Sequence, residues 1–217
     1  SSDLSSRETT SRVAAGSVCR AFLNYFGIEI FSHTVSIGDV VARVPDAVRS
    51  DKRGSASAEI AAFFESVETS AVRCGDAESA EKMIEAINAA RADGDTLGGV
   101  FEVVAYNVPI GLGSFAQWDD RLDGRIMGAL GSIPSIKGAE VGEGFAEAAQ
   151  RGSKVHDVIS FDQQTGWSHD SNNAGGTEGG ITNGAPVVAR AAAKPIATLM
   201  KPLPDRKSTR LNSSHVA

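Results

Sequence analysis

Glycine placement limits what this chain can fold into more than any other feature of its sequence. The 23 glycines crowd the second half. The main groups are Gly94-Asp95-Thr96-Leu97-Gly98-Gly99, Gly111-Leu112-Gly113 and, most densely, the stretch between Asn172 and Gly184. Glycine has no Cβ, so a cluster of it marks special backbone geometry or the close approach of something to the main chain. From Gly94 onward the chain must therefore alternate short elements with tight loops. Val100-Phe101-Glu102-Val103-Val104 reads as a strand, as do Ala139 to Val141, Val155 to Phe161 with a turn at Asp162 to Gly166, and Pro186 to Ala192. One helix intervenes, with Leu122, Ile126, Met127 and Leu130 at helical spacing.

The first half is more regular. Ala14, Val18, Ala21, Phe22 and Tyr25 predict one apolar helical face over residues 7–26, with Gly27 as its stop. Residues 28–44 read as strand interrupted at Gly38, and Pro45 to Ser57 as a polar surface excursion. A short helix follows near Ala58 to Val67. A second runs from Glu78 to Arg91, capped by Asp76 and ended by Gly94, with Ala80, Met83, Ile84, Ile87 and Ala90 as its stripe. Helices and strands are grouped rather than strictly alternating, which points to an α+β fold with antiparallel sheet.

Bulk properties exclude several classes. At 217 residues and 41% hydrophobic content the chain can bury a core of its own, and one domain is the expectation. A formal charge of -6, with no basic and aromatic stretch, speaks against nucleic acid or an anionic membrane as partner. Cys19 and Cys74 lie far apart in unlike contexts, which fits free thiols in a reducing cytosol. No stretch approaches the roughly 20 apolar residues that span a bilayer, and Ser1-Ser2-Asp3 does not begin a signal peptide. His33, His156, His169 and His215 have no metal-ligand spacing and read as structural or solvated. Residues 205–217 lack apolar periodicity and read as a disordered tail.

Three segments carry candidate chemistry. Ser5 and Glu8 fit a capping box, but Arg7 would then oppose the positive end of the helix dipole unless an anion sits there. Anion site and surface arginine are equally good readings. Gly111, Gly113 and Ala116 match a dinucleotide fingerprint, with Glu140 near the place of its ribose-binding acid. Asp119 and Asp120 would crowd a pyrophosphate, however, and no repeated βαβ unit precedes the motif, so tight turns are the better reading. Asn172 to Gly184 reads either as a flexible loop or as a backbone surface for a flat or phosphorylated ligand, with the Lys194-Pro195 ammonium nearby in sequence.

Taken in order, Ser5-Ser6-Arg7-Glu8-Thr9, Gly94 to Gly99, Gly111-Leu112-Gly113-Ser114, Ile136-Lys137-Gly138-Ala139-Glu140-Val141-Gly142, Asn173-Ala174-Gly175-Gly176 and Lys194-Pro195 resemble the chorismate synthase family. The resemblance runs from Arg7 to Leu203 and stops after Pro204. It implies a β-α-β sandwich, with antiparallel sheets packed on helices, in a homotetramer, while the cytoplasmic expectation rests on the bulk properties above. It also implies 1,4-elimination of phosphate from 5-enolpyruvylshikimate 3-phosphate to give chorismate, with reduced FMN that is not consumed. By the same resemblance Ser5 and Arg7 contact substrate. FMN contacts fall on Ser5, Pro134, Ser135, Gly179 and the segment Lys194, Pro195, Ile196, Ala197 and Thr198, where Ile196 and Ala197 replace the family's commoner Thr and Ser.

Asp3 stands where the family has an arginine, and the family's two catalytic histidines belong to motifs upstream of this block. Residues 1–204 are thus read as one incomplete domain, and the resemblance assigns no catalytic residue and no metal ligand to this chain. Two alternatives follow from the residues: an inactive flavin-binding or assembly fragment, and a nicotinamide-dependent oxidoreductase built on the Gly111 motif.

Overall fold

A computed structural model describes residues 2–50, 58–164 and 166–196, with backbone only for 2–5. Its centre is a five-stranded sheet in the order β2-β1-β3-β9-β4. The strands are β1 (Glu29–Ile37), β2 (Val40–Val41), β3 (Gly99–Tyr106), β4 (Ile136–Val141) and β9 (Val187–Ala193), and every pairing is antiparallel. β-branched residues and alternation put them there. Successive side chains point to opposite faces, so the paired Val104 and Val188 face one side while the paired Ala105 and Val187 face the other.

Each face has its own cover. Against Val104 and Val188 pack Phe63, Phe64 and Val67 of α2 (Ala58–Thr69), with Val48 from the 3-10 turn Asp46–Val48. Burying side chains of this size contributes about 1.5–3 kcal/mol each. On the other face Leu23 of α1 (Ser2–Tyr25) and Ile126 of α4 (Leu122–Gly131) meet Ile28, Val108 and Val187. A third cluster joins Ala80 and Met83 of α3 (Ala77–Ala92) to Cys74, Ile37, Val40, Ala42 and Val72.

Beyond β4 come two short helices, α5 (Gly144–Ala148) and α6 (Gly152–Val155). They lead to the hairpin β5 (Ile159–Asp162) and β6 (Gly166–His169), then to a two-residue pair β7 (Thr177–Glu178) and β8 (Ile181–Thr182) inside the glycine loop. The α+β class and antiparallel sheet are those expected, and the described residues supply one large sheet with helices on both faces.

Several local expectations change. The strand expected at Val155 to Phe161 begins only at Ile159, because Val155 closes the one-turn helix α6. Pro45 to Ser50 is no surface excursion: Val48 is fully buried. The capping box fails because α1 starts at Ser2, upstream of Ser5, and the Glu8 carboxylate instead accepts from Arg12 Nε one turn on. Arg7 then lies in the second turn, and its opposition to the helix dipole disappears. The α1 stripe is also bare: Val18, Phe22 and Tyr25 are 72%, 63% and 85% exposed. Residues 51–57 of the excursion, the 205–217 tail, His215, Ala197 and Thr198 lie outside the described residues.

Candidate flavin and substrate site

The sheet carries a row of ionisable side chains in register across four strands. His33 pairs with Glu102, Glu102 with Arg190, and Arg190 with Glu140. Directly opposed residues share a face, so the four line up on the α2 side. Glu102 is wholly buried, and three residues donate to its carboxylate: His33 Nε2 at 3.0 Å, Arg190 Nε at 2.7 Å, and Arg49 Nε at 2.9 and 3.0 Å. Burial alone would push this carboxyl up; the hydrogen bonds from His33, Arg49 and Arg190 outweigh it and hold the group at about 2. The ionised carboxylate accepts only, so His33 Nε2 carries the hydrogen. Arg190 also reaches Glu140 at 3.3 Å and Glu143 at 2.6 Å, the two carboxylates flanking Gly142. His33, expected to be structural, is a fully enclosed member of this row.

At one end of the sheet several of the residues implied by the resemblance come together. The Lys194 N–H donates to Ser135 O at 2.9 Å, so Lys194 and the Pro134-Ser135 pair form one surface. Ser135 holds φ at +72°, a region that L residues enter only when the surroundings impose it, and Pro134, Ser135, Lys194, Pro195 and Ile196 are all exposed. The Gly94 to Gly99 motif supports this segment. Thr96 Oγ1 donates to Ile196 O at 2.8 Å, and a Cβ on Gly98 would stand 2.5 Å from Ala193 O and 3.0 Å from Pro195 Cδ. α1 also reaches this end, through Arg12, whose guanidinium donates to Ser132 Oγ at 2.8 Å and Ser132 O at 3.2 Å. Arg7 lies five residues earlier, about 7.5 Å along the helix, and is exposed. Ser5 has only its backbone described.

Gly179 lies at the other end of α4. Gly180 O accepts from Leu122 N at 3.0 Å, at the first residue of that helix, whereas Ser132 follows its last. Ten helical residues separate the two ends by about 15 Å. Here Gly179 lines a cleft of about 600 Å³, with Arg121, Asp123, Met127, Glu140, Phe145 and Glu147 among its walls. Arg121 Nη2 grips Asp123 at 2.6 Å, and that bond holds the Asp123 carboxyl below its usual range. Burial pushes the Glu147 carboxyl up, and the nearby Asp157 and Glu143 charges add to it. Three carboxylates against one arginine leave an excess of negative charge that disfavours a phosphate here.

The glycine loop is fixed rather than flexible. Asn172 Oδ1 accepts from Gly176 N at 2.8 Å, and its Nδ2 donates to Arg49 O at 2.8 Å and Pro186 O at 2.9 Å. Gly142 and Gly175 lie so close that a Cβ on either would overlap the other segment's backbone. The Gly111 fingerprint is not a nucleotide loop. The strand before it, β3, is antiparallel to both neighbours, the next helix starts only at Leu122, and Glu140 is tied to Arg190 and to Phe145 N. Arg12, Thr96, Arg121 and the Glu102 row escaped the sequence reading. Among them Thr96 stood inside the Gly94 to Gly99 motif, Glu140 of the row was weighed only as a ribose-binding acid, and Arg12, spaced i,i+4 from Glu8, left a local signal.

Comparisons with known proteins bear on the family and the fold of this chain. The family model described as Chorismate synthase matches residues 2–215. The chorismate synthase of Desulforudis audaxviator is 48% identical over 213 residues, covering 98% of this chain and 52% of that protein. The Moorella thermoacetica chorismate synthase is 50% identical over 200 residues, covering 92% of this chain and 49% of its own length. A solved structure titled "Crystal Structure of Chorismate Synthase" superposes with a TM-score of 0.80 at 46% identity, over 88% of this chain and 56% of that one. The chain thus spans about half the length of the curated relatives it matches, and it belongs to the chorismate synthase family.

Proposed function

We propose that this chain supplies the flavin-binding and part of the substrate-binding surface of a chorismate synthase. That enzyme eliminates phosphate from 5-enolpyruvylshikimate 3-phosphate to give chorismate and works as a cytoplasmic homotetramer. The observation that carries the proposal is the 2.9 Å bond from Lys194 N to Ser135 O, which joins two of the family's flavin-contact segments into one exposed surface. The donor set there fits an FMN phosphate: an ammonium on a Pro-stiffened segment, beside strained backbone and small residues. Pro134, Ser135, Lys194, Pro195 and Ile196, continuing to Ala197 and Thr198, would hold that end of the cofactor, and Gly179 its flat body. Ser5 and Arg7 would meet the anionic substrate. Reduced FMN, when bound, supplies electron density to the breaking C–O bond.

The chain's own part is to bind and orient. His33 cannot deliver a proton to substrate, because it is 1% exposed and its Nε2 hydrogen is committed to Glu102. General acid catalysis, typically worth ~10²–10⁴ in rate, belongs to the family's upstream histidine motifs. The test is titration with FMN and with a nicotinamide dinucleotide, followed by phosphate release from the substrate under reducing conditions. FMN binding that weakens roughly tenfold in Lys194→Ala, the loss of about one charge-assisted contact, supports the proposal. Dinucleotide binding in preference to FMN would overturn it.

A further inference from the structure

We infer that Asp157 is a positioning residue, whose carboxylate sets the backbone of the glycine loop and so the cleft wall formed by Ala174, Thr177 and Gly179. Asp157 stands between α6 and β5, and the chain returns to it after β6, so it closes the neck of that hairpin. Its Oδ1 accepts from Ser171 Oγ at 2.6 Å and from Asn173 N at 2.8 Å, and its Oδ2 accepts from Ala174 N at 2.9 Å. All three partners donate. An ionised carboxylate accepts on both oxygens, whereas an amide in its place would turn an NH₂ against one of the backbone N–H groups.

What Asp157 holds is the loop at the point where it enters the cleft. Ala174, gripped through its N–H, lines the cleft, and Thr177 and Gly179 continue that wall. From the other side Asn173 O accepts from Glu143 N at 2.8 Å, and Asn172 pins Gly176. The loop is thereby clamped on both flanks, and Asp157 is the clamp on the hairpin side. Asp157 does not itself line the cleft, so its effect on a ligand passes through Ala174 and the residues after it.

The inference rests on the reading of Gly179 as a flavin contact, and its test separates the two. Asp157→Asn, Asp157→Glu and Ser171→Ala are compared with the parent chain by FMN titration and by amide hydrogen exchange. Asp157→Asn should speed exchange at Asn173 and Ala174 and weaken FMN binding roughly tenfold, as expected for one lost charge-assisted hydrogen bond, with exchange in β3 and β9 unchanged. Asp157→Glu should restore part of the affinity, because it keeps two accepting oxygens. Ser171→Ala keeps both backbone donors and should stay within about twofold of the parent. Asp157→Asn that binds FMN as tightly as the parent overturns the inference, whether or not the loop loosens. A parent chain that binds no FMN overturns the flavin reading and the role of Asp157 in it together.

Discussion

Glu102 shows at residue scale what single positions hid. A lone Glu in Val100-Phe101-Glu102-Val103-Val104 looks like the polar side of an alternating strand, yet it is fully buried. Its partners His33 and Arg190 lie 69 and 88 residues away, so no local pattern announces them; the register of the sheet does. The carboxyl titrates at about 2, against 4.5 for the free group. A lowered native value means that the unfolded chain takes up the proton first. The resulting stability is present above about 4.5 and is lost as pH falls toward 2, and it amounts to roughly 3 kcal/mol. Thermal midpoints measured from pH 6 to pH 2 should therefore fall, and Glu102→Gln should flatten that part of the profile. Glu102→Gln should also cost roughly 3–5 kcal/mol at neutral pH, since Arg49 and Arg190 lose their shared counter-charge. A variant as stable as the parent in urea would show that the row carries no such load. His33, by contrast, was legible only as structural or solvated, because no ligand spacing surrounded it, and its burial decides between the two.

Among elements, those with clear periodicity were legible in kind and often in bounds: α3 begins one residue after Asp76, which holds the N-cap position without the expected side-chain cap and instead accepts from Ser79 Oγ at 2.6 Å, and the helix near Leu122 is α4. The stripe on α1 was legible as a helix but not in its role. Among the described residues Leu23 of this helix packs on the sheet cluster, while Val18 and Phe22 stay exposed. Periodicity reports that a face is apolar, not what covers it. An exposed apolar face of this kind favours association. The double variant Val18→Ser, Phe22→Ser should accordingly shift sedimentation toward the smallest species while leaving circular dichroism unchanged. The glycine motifs were legible as close approaches but not in their partners. Gly98 is the sharpest case, because its missing Cβ is what lets Pro195 lie against the sheet end. Gly98→Ala should cost about 1–3 kcal/mol by overpacking. It should also weaken FMN binding by displacing Lys194, read in the same titration as Lys194→Ala.

For the whole molecule, the decisive fact is that β9, the last strand described, lies inside the sheet rather than at its edge. It pairs with β3 along Gly99 to Ala105 and with β4 along Ile136 to Val141, so two earlier strands wait on residues 187–193 for their partners. The class of fold was legible from grouped helices and strands, but this order was not, because it depends on contacts about ninety residues apart. β9 also delivers Arg190 to Glu102 and leads directly into Lys194, so sheet, ionic row and the surface proposed for flavin are completed by one segment. Without it, β3 and β4 would each expose a line of unpaired backbone groups, and Glu102 would lose a partly buried cation. A chain ended after Gly184 should therefore lack a cooperative urea transition and the protection of β3 amides. Adding a synthetic peptide of residues 185–196 should recover part of both, in proportion to its concentration. Slow protection of β3 in the shortened chain by itself would mean that β1 and α2 suffice to hold that strand, and that β9 joins a sheet already formed.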